Sequence, residues 1–401
     1  MSSKGLMQPK SVAVFSFILI LALGIAGGVT GYWVLTAVPV GFLFGFFLEK
    51  ADLCGSSAFS EALMWKDWRK LQGIWVIVVV SMLAFALLAG LDLVKLNPKP
   101  LLWVSYIVGG VVFGVGMVLA GGCVSGSLYK SGEGNLNSMA ALVGIPIGVM
   151  AVEHGPLHGL HETLKSYVIK NADGGPVTFF SITGLPYWLM AVIIAAATLG
   201  VAVYITKKRG KSKEDVKASD MPFMQRVLTR SWKPWQAGVA IGILAAFAYL
   251  SSAASGRNYP LGVTHGVMHA ELLVTDAPLN HVYAPKPKSP AASDQATPPK
   301  PDKKVSWWLI LEISALVLGS FVSARLTGRA KLLPKPPEQT VTAFFGGLLV
   351  GTGAAIARGC VVGNIMSGLA LMSVGSLLFA VVVLLTNWAT TFLYLMGGQT
   401  R

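Results

Sequence analysis

The chain has little charge and almost no cysteine. Of its 401 residues, 12% are charged and only 3 are cysteine, whereas 54% are hydrophobic. The low charge and the positive mean hydropathy exclude an ordinary soluble domain and a disordered chain. The odd cysteine count excludes a framework in which every cysteine pairs within the chain. The sequence therefore predicts an integral membrane protein that uses its cysteines as free thiols.

Apolar runs recur along the chain at close to the roughly 20 residues that a helix needs to cross a bilayer. They predict an all-α integral membrane protein with about nine transmembrane helices plus short re-entrant helices. The predicted spans are 11–35, 71–94, 101–120, 136–152, 186–206, 235–254, 306–326, 341–357 and 367–396. We interpret the first run as an uncleaved helix because it is longer than the apolar core of a signal peptide. The run at 36–48 is too short to cross alone and predicts a half-helix.

The net charge of +14 is concentrated in a few loops. The longest basic stretch is 207–233, and smaller clusters flank other spans. By the positive-inside rule these stretches are cytoplasmic, so orientation accounts for the charge and no nucleic-acid partner is expected. Alternation of the spans then places 153–184 and 255–305 outside.

The basic stretch also divides the chain. We predict four parts, which are an extra N-terminal transmembrane helix at 1–36, a first transporter half at 37–206, the basic cytoplasmic loop at 207–233, and a second half at 234–401. The second half carries a Pro-rich outer loop at 284–304, whose composition predicts an extended spacer.

All three cysteines end the same phrase, G-x3-G-x8-C. The copies are Gly41-x3-Gly45-x8-Cys54, Gly110-x3-Gly114-x8-Cys123 and Gly347-x3-Gly351-x8-Cys360. Glycines four apart line one helix face and predict close helix packing. A degenerate fourth copy ends at Gly328, with glycine in place of cysteine.

Glycine close to each cysteine predicts a helix break there. Broken backbone at membrane depth is tolerated where it faces protein or a water-filled cavity. A new helix that opens after the break directs free N–H groups into that cavity, and such groups attract anions.

The alternatives for the cysteines are a buried apolar role, a metal site and a path. Three cysteines at three predicted breaks disfavour simple core filling. A trio of thiolates suits a soft metal ion, but no Cys-x-x-Cys pair is present and the alternation of spans separates Cys360 from Cys54 and Cys123. Thiols spread along the membrane normal indicate a path, so we expect no metal and no cofactor.

Four segments resemble the YeeE/YedE family of bacterial inner-membrane proteins. They are Phe44 to Phe59, Gly109 to Gly134, Gly256 to Thr264 and Gly346 to Asn364. The resemblance implies thiosulfate uptake through a fold of two pseudo-symmetric halves, and a TusA-type sulfur carrier as cytoplasmic partner. The family's three pathway cysteines match Cys54, Cys123 and Cys360. The chain departs from the family at the first helix and at the 284–304 insertion.

Thiosulfate has a soft terminal sulfur and a hard oxyanion end, and each cysteine segment offers groups for both. The predicted path contains the following residues: Cys54, Cys123, Cys360, Ser56, Gly122, Ser125, Gly126, Arg358, Gly359 and Asn364. Two alternatives stay open, namely a transporter of another sulfur or selenium species, and a membrane protein that transfers sulfur covalently through its cysteines. Glu312, inside an apolar span, is either a functional residue or a solvated one near the outer end.

Overall fold

A computed structural model describes residues 9–209, 228–274, 279–282, 303–332 and 335–397, and most of these residues are helical. The basic loop at 207–233 and the insertion at 284–304 fall mostly outside the described residues. In the first half the helices are α1 Pro9–Thr30, α2 Ala37–Lys50, α3 Gly55–Met64, α4 Arg69–Gly90, α5 Trp103–Leu119, α6 Val124–Glu133, α7 Leu136–Glu153, α8 His158–Ser166, α9 Phe179–Thr183 and α10 Tyr187–Arg209.

The second half has the same helical character. Its helices are α11 Pro234–Ala254, α12 Val263–Leu272, α13 Trp307–Thr327, α14 Pro337–Ile356, the π-type α15 Val361–Met366, α16 Ser367–Ala370, α17 Val374–Thr390 and the π-type α18 Thr391–Met396. Two short parallel strands, β1 Leu279–Val282 and β2 Lys303–Ser306, precede α13 and pair from Leu279 with Lys303 to Val282 with Ser306.

Nine segments of the described chain are long and apolar enough to cross a bilayer. This confirms an all-α membrane protein with about nine spans. The predicted half-helix at 36–48 is α2, and α2 and α3 together form one of the nine segments. The large apolar side chains of α10, among them Trp188 and Leu199, are exposed, as expected of a helix that faces lipid.

The glycines of the repeated phrase bring helix backbones into contact. A Cβ on Gly41 or Gly45 of α2 would overlap the backbone carbonyls of Glu312 and Leu316 in α13. A Cβ on Gly347 or Gly351 of α14 would likewise overlap carbonyls of α7. Gly110 and Gly114 of α5 instead face side chains of α17. The predicted packing faces are therefore present in all three copies, and they hold the breaks between fixed neighbours.

In the part of the chain that the structure describes, a fourth break accompanies the three predicted ones. The breaks α2–α3, α5–α6 and α14–α15 carry the cysteines, and the fourth lies between α11 and α12. The degenerate copy that ends at Gly328 keeps a packing glycine, since a Cβ on Gly319 would overlap the Phe42 carbonyl, but it has no break, because α13 runs unbroken to its left-handed C-cap at Gly328. Residues 255–272, expected in an outer loop, form a turn and a helix with buried residues such as Leu261 and Val263.

Candidate functional site

Each cysteine is the N-cap of the helix that follows its break. Cys54, Cys123 and Cys360 all have extended backbone and precede α3, α6 and α15. The residue two positions earlier is left-handed in each case, with φ of 47° at Asp52, 65° at Gly121 and 52° at Arg358. The same turn is thus built three times. None of the three helices has a side-chain cap, so their first N–H groups are available to a ligand.

The three cysteine turns are contiguous and the thiols are fully buried. A Cβ on Gly126 would overlap the Cys54 sulfur and lie 3.6 Å from the Cys123 sulfur, so these two thiols lie side by side. A Cβ on Gly55 would lie 2.7 Å from Val361, the residue after Cys360. We expected thiols spread along the membrane normal, and the structure brings at least two of them together.

A lysine holds the turn before each cysteine. Lys130 Nζ donates to the carbonyl of Gly121 at 2.9 Å, and Lys99 Nζ donates to the carbonyl of Arg358 at 2.6 Å. At the third turn, Lys70 Nζ lies 2.6 Å from Oδ2 of Asp52. A lysine ammonium nitrogen therefore lies beside each of the three cysteine turns. Sequence reasoning missed these lysines because each contact joins a turn to a residue outside it.

The predicted polar residues fall into two groups. Ser125 Oγ lies 3.4 Å from the Cys123 sulfur, so it stays beside that thiol. Ser56 donates to the carbonyl of Met117 and so ties α3 to α5. Asn364 donates to the carbonyls of Ala357 and Gly359 and accepts from Lys99, so it holds the Cys360 turn in shape.

The two remaining predicted glycines shape the turns. Gly359 has φ of 155°, and a Cβ there would lie 2.6 Å from Lys99 Nζ. A side chain would therefore displace the lysine. At Gly122 a Cβ would lie 3.2 Å from the backbone nitrogen of Ser127 in α6, which leaves little room at the start of that helix.

A cationic cavity of about 380 Å³ opens beside the Cys360 turn. Its basic side chains are those of Lys99, Arg257, Arg358, His265 and His269, and no described acidic residue lines it. Arg257 comes from the fourth break, where it stacks on Tyr259 and Trp308. We name this space the cationic cavity. It is suited to an anion.

Lys99 is a strongly affected base of the cationic cavity, and it lies outside the spans. Burial and the neighbouring Arg358 lower the pKa of Lys99 to about 7. Its ammonium lies over the ring of Tyr259, 5.5 Å from the centroid, and Tyr259 donates to the carbonyl of Gly363 in α15. The fourth break is thereby attached to the helix that Cys360 caps. The sequence signals that could have revealed this break are Gly256 and Asn258, both with positive φ.

The fold and the site define a multi-pass membrane transporter in which broken helices meet at buried thiols. Residues 50–389 match the family described as sulphur transport. The chain belongs to this family, in agreement with the predicted YeeE/YedE resemblance.

Two thiosulfate transporters named TsuA are similar over nearly their whole length. That of Spirochaeta thermophila is 31% identical over 371 residues, which is 89% of this chain and 98% of the relative. That of Escherichia coli is 26% identical over 370 residues, 92% and 96% of the two chains. A probable transporter of Escherichia coli, YedE, is 32% identical over 114 residues, 28% of this chain and 27% of its own. These relatives are named as transporters rather than enzymes.

Proposed function

We propose that the protein takes up thiosulfate across the bacterial inner membrane along a path lined by Cys54, Cys123 and Cys360. The observation that carries the proposal is the threefold turn, in which an uncapped helix N-terminus, a thiol and a lysine recur together. The names of the full-length relatives support thiosulfate as the sulfur anion.

Each turn offers contacts to both ends of thiosulfate. The thiol is a weak donor toward the terminal sulfur, and the free N–H groups and the lysine suit the oxygens. Such contacts are individually weak, which favours release from one turn to the next. Arg358 and Lys99 of the cationic cavity would draw the dianion toward Cys360 before it meets the other thiols.

The surroundings of the path follow from the family and the charge pattern. We propose that lipid covers the exposed apolar face of α10. We also propose that a TusA-type sulfur carrier receives the imported sulfur compound on the cytoplasmic side. Co-purification of such a carrier with the full chain, reduced by charge reversal at the exposed Lys66, tests the second proposal. If charge reversal at Lys66 leaves co-purification undiminished, the carrier does not bind at this position.

Growth on thiosulfate tests the function and the role of the thiols together. A bacterium without its own thiosulfate uptake should grow on thiosulfate as sole sulfur source when it carries this gene. Cys123→Ala should abolish that growth with membrane expression unchanged, because it removes the donor between Cys54 and Ser125. Unchanged uptake by Cys123→Ala would remove the cysteines from the path, and rescue only by another sulfur or selenium compound would change the substrate.

The covalent alternative is favoured by one observation, the side-by-side thiols of Cys54 and Cys123. Cys123→Ser separates the two mechanisms. A serine hydroxyl still donates a hydrogen bond, so partial uptake is expected of a hydrogen-bonded path. A sulfur relay needs the thiolate as nucleophile, so complete loss with serine as well as alanine would favour covalent transfer.

A further inference from the structure

Glu312 is a carboxylate buried inside a membrane-spanning helix, α13. Its side chain has no solvent exposure. Oε1 accepts a hydrogen bond from the backbone N–H of Gly262, the N-cap of α12, at 3.4 Å, and Oε2 has no partner among the described residues. An unpartnered buried carboxylate is costly when charged. The sequence alternatives for Glu312 are thereby resolved in favour of a buried position.

Arg257 connects this carboxylate to the cationic cavity. The guanidinium lines the cavity, and a Cβ on Gly262 would overlap its Nη2. Arg257 and Glu312 therefore meet at the same residue. Leu309, one helical turn before Glu312, also lines the cavity, so the carboxylate lies just beneath its floor.

The groups that face Glu312 are few. The fourth break contributes Arg257, α12 contributes the N–H of Gly262, and α2 contributes Gly41, packed on the Glu312 backbone. The histidines of α12, His265 and His269, line the cationic cavity together with Arg257. Burial, followed by Arg257, lowers the pKa of His269 to about 4, so it is neutral near neutral pH. Arg257 is the one cation that these contacts place beside Glu312.

We propose that Glu312 binds a proton that enters together with thiosulfate, so that the protein is a proton-coupled importer. The inference rests on the proposed uptake of thiosulfate and adds its energy source. A proton from water in the cationic cavity binds Oε2 and converts the carboxylate to the neutral acid. Arg257 is then left for the dianion. The proton leaves Glu312 on the opposite side when the dianion has moved on, and no covalent bond other than O–H changes.

Proton and dianion reinforce each other through Arg257. A dianion bound near Arg257 offsets part of the positive potential that the guanidinium exerts on Glu312. The Glu312 carboxylate is then less stabilised, which favours its protonation. By reciprocity, protonation of Glu312 raises the affinity for the dianion. A dianion entering a cell with a negative interior moves against the membrane potential, and each proton carried with it removes one unit of that opposition.

Glu49 provides a matched control. It is equally buried, in α2, but both oxygens are satisfied. Oε2 accepts from Ser323, Oε1 accepts from Thr327, and Arg329 Nη1 lies 3.4 Å from Oε1. A buried carboxylate with this many partners has no reason to exchange a proton during transport.

The test uses the full chain in liposomes, with the membrane potential clamped at zero. Exchange of labelled for unlabelled thiosulfate at equal pH measures transport without net proton movement. An inside-alkaline gradient of about one pH unit should raise thiosulfate accumulation by up to about tenfold for one coupled proton, and a trapped pH dye should report acidification. Exchange without any response to the gradient would overturn the inference and leave the proposed function standing. Absence of exchange would overturn the proposed function itself.

In Glu312→Gln the ratio of gradient-driven accumulation to exchange should fall to its value without a gradient, whereas Glu49→Gln should keep the ratio of the unmodified chain. A gradient response that persists in Glu312→Gln would overturn the assignment of the proton to Glu312. If Glu312→Gln does not exchange thiosulfate, Glu312→Asp is the variant to test instead. Its shorter carboxyl should shift the pH midpoint of uptake relative to the unmodified chain, and an unshifted midpoint would also overturn the assignment.

Discussion

At the scale of single residues, each cysteine turn has a lysine whose ammonium contacts an oxygen of the residue two positions before the cysteine. That oxygen is a backbone carbonyl at two turns and a carboxylate at the third. Arg358 is the most unusual participant, since a long side chain at positive φ is uncommon. Left-handed backbone there directs the Arg358 carbonyl toward Lys99 Nζ. The turn before Cys360 therefore depends on a residue that is distant in sequence.

Replacing Lys99 should weaken thiosulfate capture. Lys99→Met removes a cation from the cationic cavity and should raise the half-saturation concentration roughly tenfold, about 1.4 kcal/mol. Lys95→Met, in the same loop with an exposed side chain, should change it little. Uptake kinetics of the two variants at equal expression test this prediction. Equal half-saturation concentrations would mean that Lys99 only holds the turn before Cys360.

The lowered pKa of Lys99 also predicts a pH effect on affinity. With a pKa of about 7, the ammonium is charged below that pH and loses its proton as the pH rises through it. Affinity for the dianion should therefore fall above pH 7 in the unmodified chain. The fall should be smaller in Lys99→Met, where only the protonation of Glu312 still contributes to it. Measurements at equal pH on both sides separate this effect from any driving force of a gradient.

At the scale of helices, the glycine faces determine how closely the spans pack. Gly45→Ala places a methyl group into the Leu316 carbonyl of α13 and should destabilise the protein by about 1–3 kcal/mol. Gly200→Ala, in α10 with nothing within 4 Å, should be neutral or slightly stabilising because alanine favours the helix. Thermal unfolding in detergent compares the pair. A smaller loss for Gly45→Ala than for Gly200→Ala would contradict the close packing.

The cysteine breaks could be predicted from sequence because the determinants are local. Glycine lies next to each cysteine, and at two of the breaks the residue two before the thiol is aspartate or glycine, which accept positive φ. At the third break that residue is Arg358, whose positive φ has no such local signal. The fourth break has no cysteine and no copy of the phrase, so only Asn258 and its neighbouring glycines signalled it. Lys99 and Arg358 are 259 residues apart, and no local pattern can predict a contact between them. The pseudo-symmetry of the two halves stays a prediction.

At the scale of the whole molecule, the predicted orientation of the chain decides in which direction the proposed path carries its anion. Carrying one charge across 100 mV costs about 2.3 kcal/mol, so a dianion entering a cell moves against a substantial opposing potential. The basic stretches predicted to be cytoplasmic put the cationic cavity on the outer side, where it would collect the anion. The orientation of the chain is thus the assumption on which uptake, rather than export, depends.

Surface cysteines test this orientation without removing the native thiols, since Cys54, Cys123 and Cys360 are fully buried and should react slowly. Lys66→Cys lies at an exposed position in a basic segment that the positive-inside rule assigns to the cytoplasm. Ser166→Cys lies at an exposed position at the end of α8, in the loop expected outside. An impermeant maleimide, applied to cells with a permeabilised outer membrane, should label Ser166→Cys at once and Lys66→Cys only after the inner membrane is opened. The unmodified chain is the control for background labelling. The reverse order would invert the path and turn the proposed importer into an exporter.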